Sequence, residues 1–233
     1  MTRIARIVVP GLPHHVTQRG NRREPIFLRE DDYALYKDLL SQSCARWGVA
    51  VWAYCLMPNH VHLILVPGDA SGLALAMGRT HRRYAAYFNA RARQTGHLFQ
   101  GRFGSVALDE EHLMSAARYV ALNPVRARLV GRAEDWPHSS VHAHMAARDD
   151  GVVAVHALLD RWPRFADLLE TEANEAAFAL LRNSELIGRP LGAPSFLADI
   201  ERRLRRKVTP GKRGRRAGGE VRAGKKGKKV ASP

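Results

Sequence analysis

Cysteine is nearly absent: Cys44 and Cys55 are the only two in 233 residues. They make no CxxC pair and no metal-finger spacing, which excludes a disulfide-stapled or thiolate-zinc scaffold and points to a reducing cytosol. Long apolar runs are missing as well. No stretch approaches the roughly 20 residues that cross a bilayer. The start MTRIARIVVPGLP has no long apolar h-region, so the sequence reads as neither exported nor embedded in a membrane. Acidic residues are scarce at one end only. Lys and Arg number 37 against 22 Asp and Glu, a formal net charge of +15. Residues 201–233 hold 14 basic residues and 2 acids, whereas residues 1–200 hold 23 and 20. The body is nearly neutral and the tail is a polycation. A polyanionic partner is implied, and the body needs a local site if it is to handle nucleic acid. The tail also lacks Trp and Phe and holds one Leu, Leu204, too little for the apolar face that an interfacial helix buries, which disfavours a membrane surface. What is present, 45% apolar and 25% charged residues, suits one globular domain with an appendage and excludes wholesale disorder.

HHVTQRGN (residues 14–21) alternates apolar and polar side chains before a Gly-Asn turn and reads as a first strand. From residue 31 to 47 apolar residues recur at helical spacing, with Asp31 and Asp32 placed to cap the start. Runs 49–57 and 60–67 are β-branched and aromatic, and Pro58-Asn59 between them predicts a tight turn and an antiparallel hairpin. A second helix is expected over 71–93, a Gly-punctuated extended segment over 96–108, and a third helix over 110–122 that Asn123-Pro124 should stop. The order β-α-β-β-α-β is the ferredoxin-like plan, an α+β fold with an antiparallel sheet. Residues 146–207 read as an accessory helical region that ends in an amphipathic helix over 195–207 with Ser195 as its cap. Residues 208–233 are Gly, Lys and Arg with almost nothing to bury, and are expected to be disordered in isolation.

The sharpest local signal is MPNHVHLILV. His60 and His62 stand two apart in a strand, so both imidazoles point to one face while Val61 points to the other. Two such rings can hold one divalent metal; two half-exposed strand histidines are the plainer alternative. His142-Ala143-His144 is an internal control. It lacks strand character, and on a helix its rings diverge by roughly 200°, so it is discounted as a ligand pair. A metal on two histidines needs further ligands and something to act on. In RYVALNPVRA, Tyr119 and Asn123 are four apart and share a helix face. The Asn123 amide oxygen is a candidate third ligand. The Tyr119 phenol is a candidate nucleophile for phosphoryl transfer if a metal polarises the phosphate. Plainer readings remain open for both: Tyr119 as a core aromatic beside Leu122, and Asn123 as a helix C-cap before Pro124. Tyr84 and Tyr87, at helical spacing with Phe88, read as core residues.

The His-hydrophobe-His strand, the GHLFQGRF segment and the RYVALNPVRA helix, in that order and spacing, resemble the single-tyrosine HUH transposases. Within that superfamily they are most similar to the transposases associated with repetitive extragenic palindromes. The resemblance covers about residues 8–145, including DWPHSS, and implies that residues 1–145 form the HUH nuclease and transposase domain. GRPLGAPSFLADIERRLRR resembles the basic C-terminal extension of some members. His138 departs from the pattern, because relatives often carry Trp there. The resemblance further implies His60, His62 and Asn123 as ligands of Mg²⁺ or Mn²⁺, and Tyr119 as the nucleophile. The implied reaction cuts single-stranded DNA near a hairpin, leaving a 5′-phosphotyrosine and a 3′-OH. A domesticated hairpin-binding regulator or architectural protein that acts by occupancy is the alternative; the intact His60, His62, Tyr119 and Asn123 set favours the enzyme.

Arg19, Arg22 and Arg23 after the first strand, Arg79, Arg82 and Arg83 on the second helix, and Gln100 and Arg102 in the Gly-rich stretch are candidate DNA contacts. Backbone phosphates are their expected targets, with Phe99 or Phe103 available for base stacking. For the helix arginines a solvated face is an equal alternative. The tail adds sequence-blind attraction to DNA. Such a protein belongs in the cytoplasm at the nucleoid. The sequence leaves monomer and dimer equally open, since a partner's tyrosine can complete the same site.

Overall fold

The computed structural model describes residues 5–170 and 174–209. Its first part runs β1 (His14–Arg19), α1 (Glu30–Arg46), β2 (Val49–Met57), β3 (His60–Pro67), α2 (Gly72–Ala92), β4 (Gly104–Ala107) and α3 (Glu110–Arg126). The described strands form one antiparallel sheet in the order β2-β3-β1-β4. β1 and β3 are central although a helix and a strand separate them in the chain. This is the expected ferredoxin-like α+β plan.

Alternation along the strands splits the core into two layers. Val16, Val61, Leu63 and Leu65 meet Tyr36 and Leu40 of α1 and Leu73, Met77 and Tyr84 of α2. On the other face Ala53, Cys55, Ile64 and Val106 meet Leu113, Ala116, Ala117 and Val120 of α3. Asp32 caps α1 as the sequence suggests, accepting from the N–H groups of Leu28 (2.7 Å) and Arg29 (3.1 Å). Arg91 of α2 clamps the same carboxylate at 2.8 Å and so ties the two helices together. Tyr84 is fully buried and donates to the Ile26 carbonyl, which makes it the core residue expected.

Two expected boundaries are corrected. α3 does not stop at Asn123-Pro124 but continues to Arg126. Pro124 removes a single N–H, and the ladder resumes beyond it through Ala127 N–H to Asn123 O at 2.9 Å. Asn123 is therefore inside the helix and not its C-cap. The last helix begins at Pro194, with Ala193 as its N-cap, so Ser195 lies in the first turn and makes no capping bond. Pro at the first helical position needs no N–H and fixes φ for the entry.

Beyond α3 come α4 (Val141–Met145), α5 (His156–Leu159), α6 (Phe165–Glu170), α7 (Glu175–Ile187) and α8 (Pro194–Leu204). Phe165, Leu168, Phe178 and Leu181 of α6 and α7 join the apolar layer under α3. Ile200 of α8 and Val208 pack on Ile7, Val9 and Ala107. The tail expected from residue 208 is thus described only at Val208 and Thr209; the rest lies outside the described residues. No helix among the described residues is long and apolar enough to cross a membrane.

Candidate functional site

The register of β1 on β3 sets Arg19 opposite His60 and Thr17 opposite His62, so all four share the sheet face covered by α3. The His60 and His62 rings meet edge to face with centroids 4.8 Å apart. Tyr119 descends from α3 with its ring 5.3 Å from that of His62 and is 7% exposed. Asn123 follows one turn later on the same helix and is 9% exposed. Phe178 of α7 packs edge-on to Tyr119 at 5.3 Å, and the Arg126 guanidinium lies 4.6 Å over the Phe178 ring.

Three further residues belong to this centre and were not singled out from the sequence. His15 of β1 faces the same way as Thr17 and stacks nearly parallel to His62 at 5.2 Å, with its Nε2 3.0 Å from His62 Nδ1. Glu185 of α7 brings Oε1 to 3.3 Å from His15 Nδ1. Donor atoms of His15, His62 and Glu185 lie within 4.8 Å of one another, a cluster able to hold a metal ion. Asn59, read from the sequence as a turn residue, anchors its amide by donating to Arg23 O at 3.0 Å and sets its Oδ1 2.6 Å from His60 Nδ1. Strand alternation is the signal that places His15 on this face, once the β1–β3 register is known. Glu185 has no local signal. Gly104 of β4 lies close against Thr17. A Cβ at Gly104 would stand 2.8 Å from Thr17 Oγ1 and 3.6 Å from the Glu185 carbonyl oxygen.

Burial sets the electrostatics. It drives the His15 ring down to about 3, and drives His60 to about 3 with help from Arg19. His62 is held well below its ordinary value by burial, then by His60, His15 and Arg19. All three imidazoles are therefore neutral at physiological pH and keep a lone pair. Burial pushes the Glu185 carboxyl up to about 7 against the pull of Arg19 and Arg182. Burial, and then Glu185, raise the Tyr119 phenol, while Arg126, Arg182 and Arg19 oppose them. His62 Nε2 is buried and finds no hydrogen-bond partner among the described residues. Neutral imidazoles with an orphaned ring nitrogen and the Glu185 carboxyl make an N/O donor set that fits a divalent cation.

The remaining candidates are spread more widely. Arg22 and Arg23 are exposed in the turn after β1. Gln100 and Arg102 are exposed in the loop before β4. Phe99 pairs with Gly20 and packs on His81 at 4.6 Å. Phe103 lies beneath the Arg6 guanidinium at 3.5 Å, so both rings are already partly engaged. Arg79, Arg82 and Arg83 are exposed on α2, across the sheet from the histidines. Arg83 donates to Gln42 at 3.2 Å and Arg79 lies 5.9 Å over Trp47. The structure thus brings His60, His62, Tyr119 and Arg19 to one face and leaves the α2 arginines on the other. His142 and His144 sit on helical α4, where His144 stacks on Phe165 at 4.5 Å. His138, the departure from the resemblance, stacks on Tyr33 at 3.5 Å.

A ferredoxin-like sheet whose β3 presents paired histidines to a helix-borne tyrosine defines the single-tyrosine HUH transposase class. Residues 8–123 match the sequence model of the IS200-like transposases, and the chain belongs to that family. A protein of Haemophilus influenzae named as a REP-associated tyrosine transposase is 24% identical over 123 residues, which span 48% of this chain and 70% of that protein. Among solved structures, a REP-associated tyrosine transposase bound to a REP hairpin is similar at a TM-score of 0.51 and 21% identity, over 66% of this chain and 92% of that one. A transposase-like protein of Deinococcus radiodurans R1 gives a TM-score of 0.37 and 22% identity, over 51% of this chain and 95% of that one.

Proposed function

We propose that this protein is a metal-dependent endonuclease and strand transferase that cuts single-stranded DNA at hairpins and carries the cut end on Tyr119. The observation that carries the reading is the Tyr119 ring set 5.3 Å from His62 within one chain. The solved relative bound to a REP hairpin supports a hairpin substrate. Tyr119 Oη bonds to the phosphorus and gives its proton to solvent, a loss that burial and Glu185 oppose and Arg126, Arg182 and Arg19 favour. The bond from phosphorus to the 3′ oxygen breaks, and that oxygen takes up a proton to leave as a 3′-OH. His60, His62 and Asn123 would hold a Mg²⁺ or Mn²⁺ ion, which when bound would supply Lewis-acid polarisation of the phosphate and stabilisation of the leaving oxygen. The phosphodiester energy is kept in the 5′-phosphotyrosine, so a 3′-OH can attack it and rejoin strands. Arg19, Arg22, Arg23 and Arg102 hold the backbone phosphates of the DNA, and the site of action is the nucleoid.

The burial of Tyr119 beneath Phe178 favours a second reading, a hairpin-binding regulator without catalysis. Incubation with single-stranded hairpin DNA and Mn²⁺, followed by a denaturing gel, separates the two. Wild type should yield a covalent adduct. Tyr119→Phe removes one oxygen and keeps the ring, so it should lose adduct and cleavage while holding DNA affinity. Cleavage that survives in Tyr119→Phe but vanishes in Tyr84→Phe or Tyr87→Phe would move the nucleophile to α2.

A further inference from the structure

Each imidazole of the β3 pair has its Nδ1 taken by a neighbour. For His60 the neighbour is Asn59, whose amide is oriented by its own bond to Arg23 O, so that Oδ1 accepts from His60 Nδ1–H at 2.6 Å. His60 Nε2 is left with its lone pair. For His62 the neighbour is His15 Nε2, at 3.0 Å from Nδ1. A contact between two neutral rings has two possible directions. If His62 Nδ1–H donates, its buried Nε2 keeps a lone pair. If His15 Nε2–H donates, the His62 hydrogen sits on Nε2 and blocks ligation there. The second nitrogen of His15 decides between them. His15 Nδ1 is buried, has no hydrogen-bond partner among the described residues, and faces Glu185 Oε1 at 3.3 Å, close but not aligned as a hydrogen bond. Once ionised, the carboxylate at that place can only accept, which puts the His15 hydrogen on Nδ1 and leaves Nε2 as an acceptor. Donation then runs from His62 to His15, whose Nδ1–H faces the Glu185 carboxylate.

We propose that His15, backed by Glu185 of α7, is a positioning residue that fixes the tautomer and orientation of His62, turning the His62 Nε2 lone pair toward the metal as Asn59 does for His60. The inference rests on the reading of His60 and His62 as metal ligands. It gives α7 a part in the catalytic centre: this helix, outside the strand-and-helix core, supplies the carboxylate that His15 Nδ1 faces.

Long-range ¹H–¹⁵N spectra of the metal-free full chain at pH 8 read which nitrogen of each ring carries hydrogen. The expected result is hydrogen on Nδ1 of His62 and of His15. Mn²⁺ titration by calorimetry should show affinity weakened about 10- to 100-fold in His15→Leu, the usual cost of losing such an outer partner. His15→Gln, whose carbonyl can accept where Nε2 stood, should restore most of it. Glu185→Leu tests the same chain without touching the sheet and should weaken Mn²⁺ in the same direction. Spin-echo modulation spectra of bound Mn²⁺ should show two imidazole couplings in wild type and in His15→Gln alike. Hydrogen on His62 Nε2 in wild type, wild-type affinity in both His15→Leu and Glu185→Leu, or loss of an imidazole coupling in His15→Gln would each overturn this inference alone. Unchanged Mn²⁺ affinity in His62→Ala would overturn it together with the metal assignment beneath it.

Discussion

A histidine binds a cation only through a neutral nitrogen, and burial keeps His60 and His62 in that form. Replacing either by Ala removes one of the proposed protein ligands, so DNA cleavage should fall steeply and recover only partly at high Mn²⁺. His142→Ala, on a helix with its ring turned elsewhere, should cleave like wild type. Full activity of His60→Ala or His62→Ala in EDTA would contradict the metal role. Much at this scale was legible in the sequence, because the signals are short-range spacings: two residues on a strand for His60 and His62, four on a helix for Tyr119 and Asn123. His15 and Glu185 were not. The contact between His15 and His62 joins residues 47 apart and exists only through strand register. Glu185 arrives from α7, a helix far along the chain from His15. Nothing near either residue in sequence announces the partner.

At the scale of elements, α3 carries the centre and α7 covers it. Phe178 is 1% exposed and wedged against Tyr119 under the Arg126 guanidinium, whose ion pair with Glu175 at 3.0 Å ties α3 to α7 a second time. Phe178→Ala opens a cavity in a layer shared with Leu113 and Val120 and should cost about 3–5 kcal/mol in urea unfolding. A variant that unfolds at the wild-type urea concentration would show that α7 lies outside the cooperative unit. Element order and type could be read from the sequence because hydrophobic period and β-branched runs are local. Element ends were harder. Pro124 weighs as a stop signal, yet at its place in α3 it costs one hydrogen bond while the apolar face of the helix stays buried. Ser195 has the side chain of a cap, yet Pro194 already begins the helix.

For the whole molecule, charge and buried imidazoles decide how it responds to solution. His14 accepts from Val9 N–H at 3.2 Å and donates to Leu12 O at 2.8 Å, while His81 pairs with the Tyr36 hydroxyl at 3.0 Å. Burial lowers His14 to about 4 against its bond to Leu12, and burial followed by Arg6 lowers His81 to about 3. In the unfolded chain both titrate near 6.5, so below that pH the unfolded state binds more protons. Their contribution is complete above about pH 6.5 and drains away as pH falls toward 4 and then 3. Urea midpoints should therefore be lower at pH 5 than at pH 7; equal midpoints would contradict neutral buried rings. Residues 210–233 carry nine basic residues and one acid. Truncation after Thr209 should weaken binding to all DNA alike and flatten the salt dependence, by about 0.7 in the slope of log K against log salt for each lost single-strand phosphate contact. Hairpin preference should persist, because selectivity is assigned to the body; its loss on truncation would contradict that division. The central claim, that Tyr119 itself becomes joined to DNA, is tested most directly by mass spectrometry of peptides from protein incubated with single-stranded hairpin DNA and Mn²⁺. The account predicts a 5′-phosphodeoxynucleotide on the peptide containing Tyr119 and a free 3′-OH on the released strand. Cut DNA with an unmodified Tyr119 peptide, or the adduct on Tyr84 or Tyr87, would contradict it.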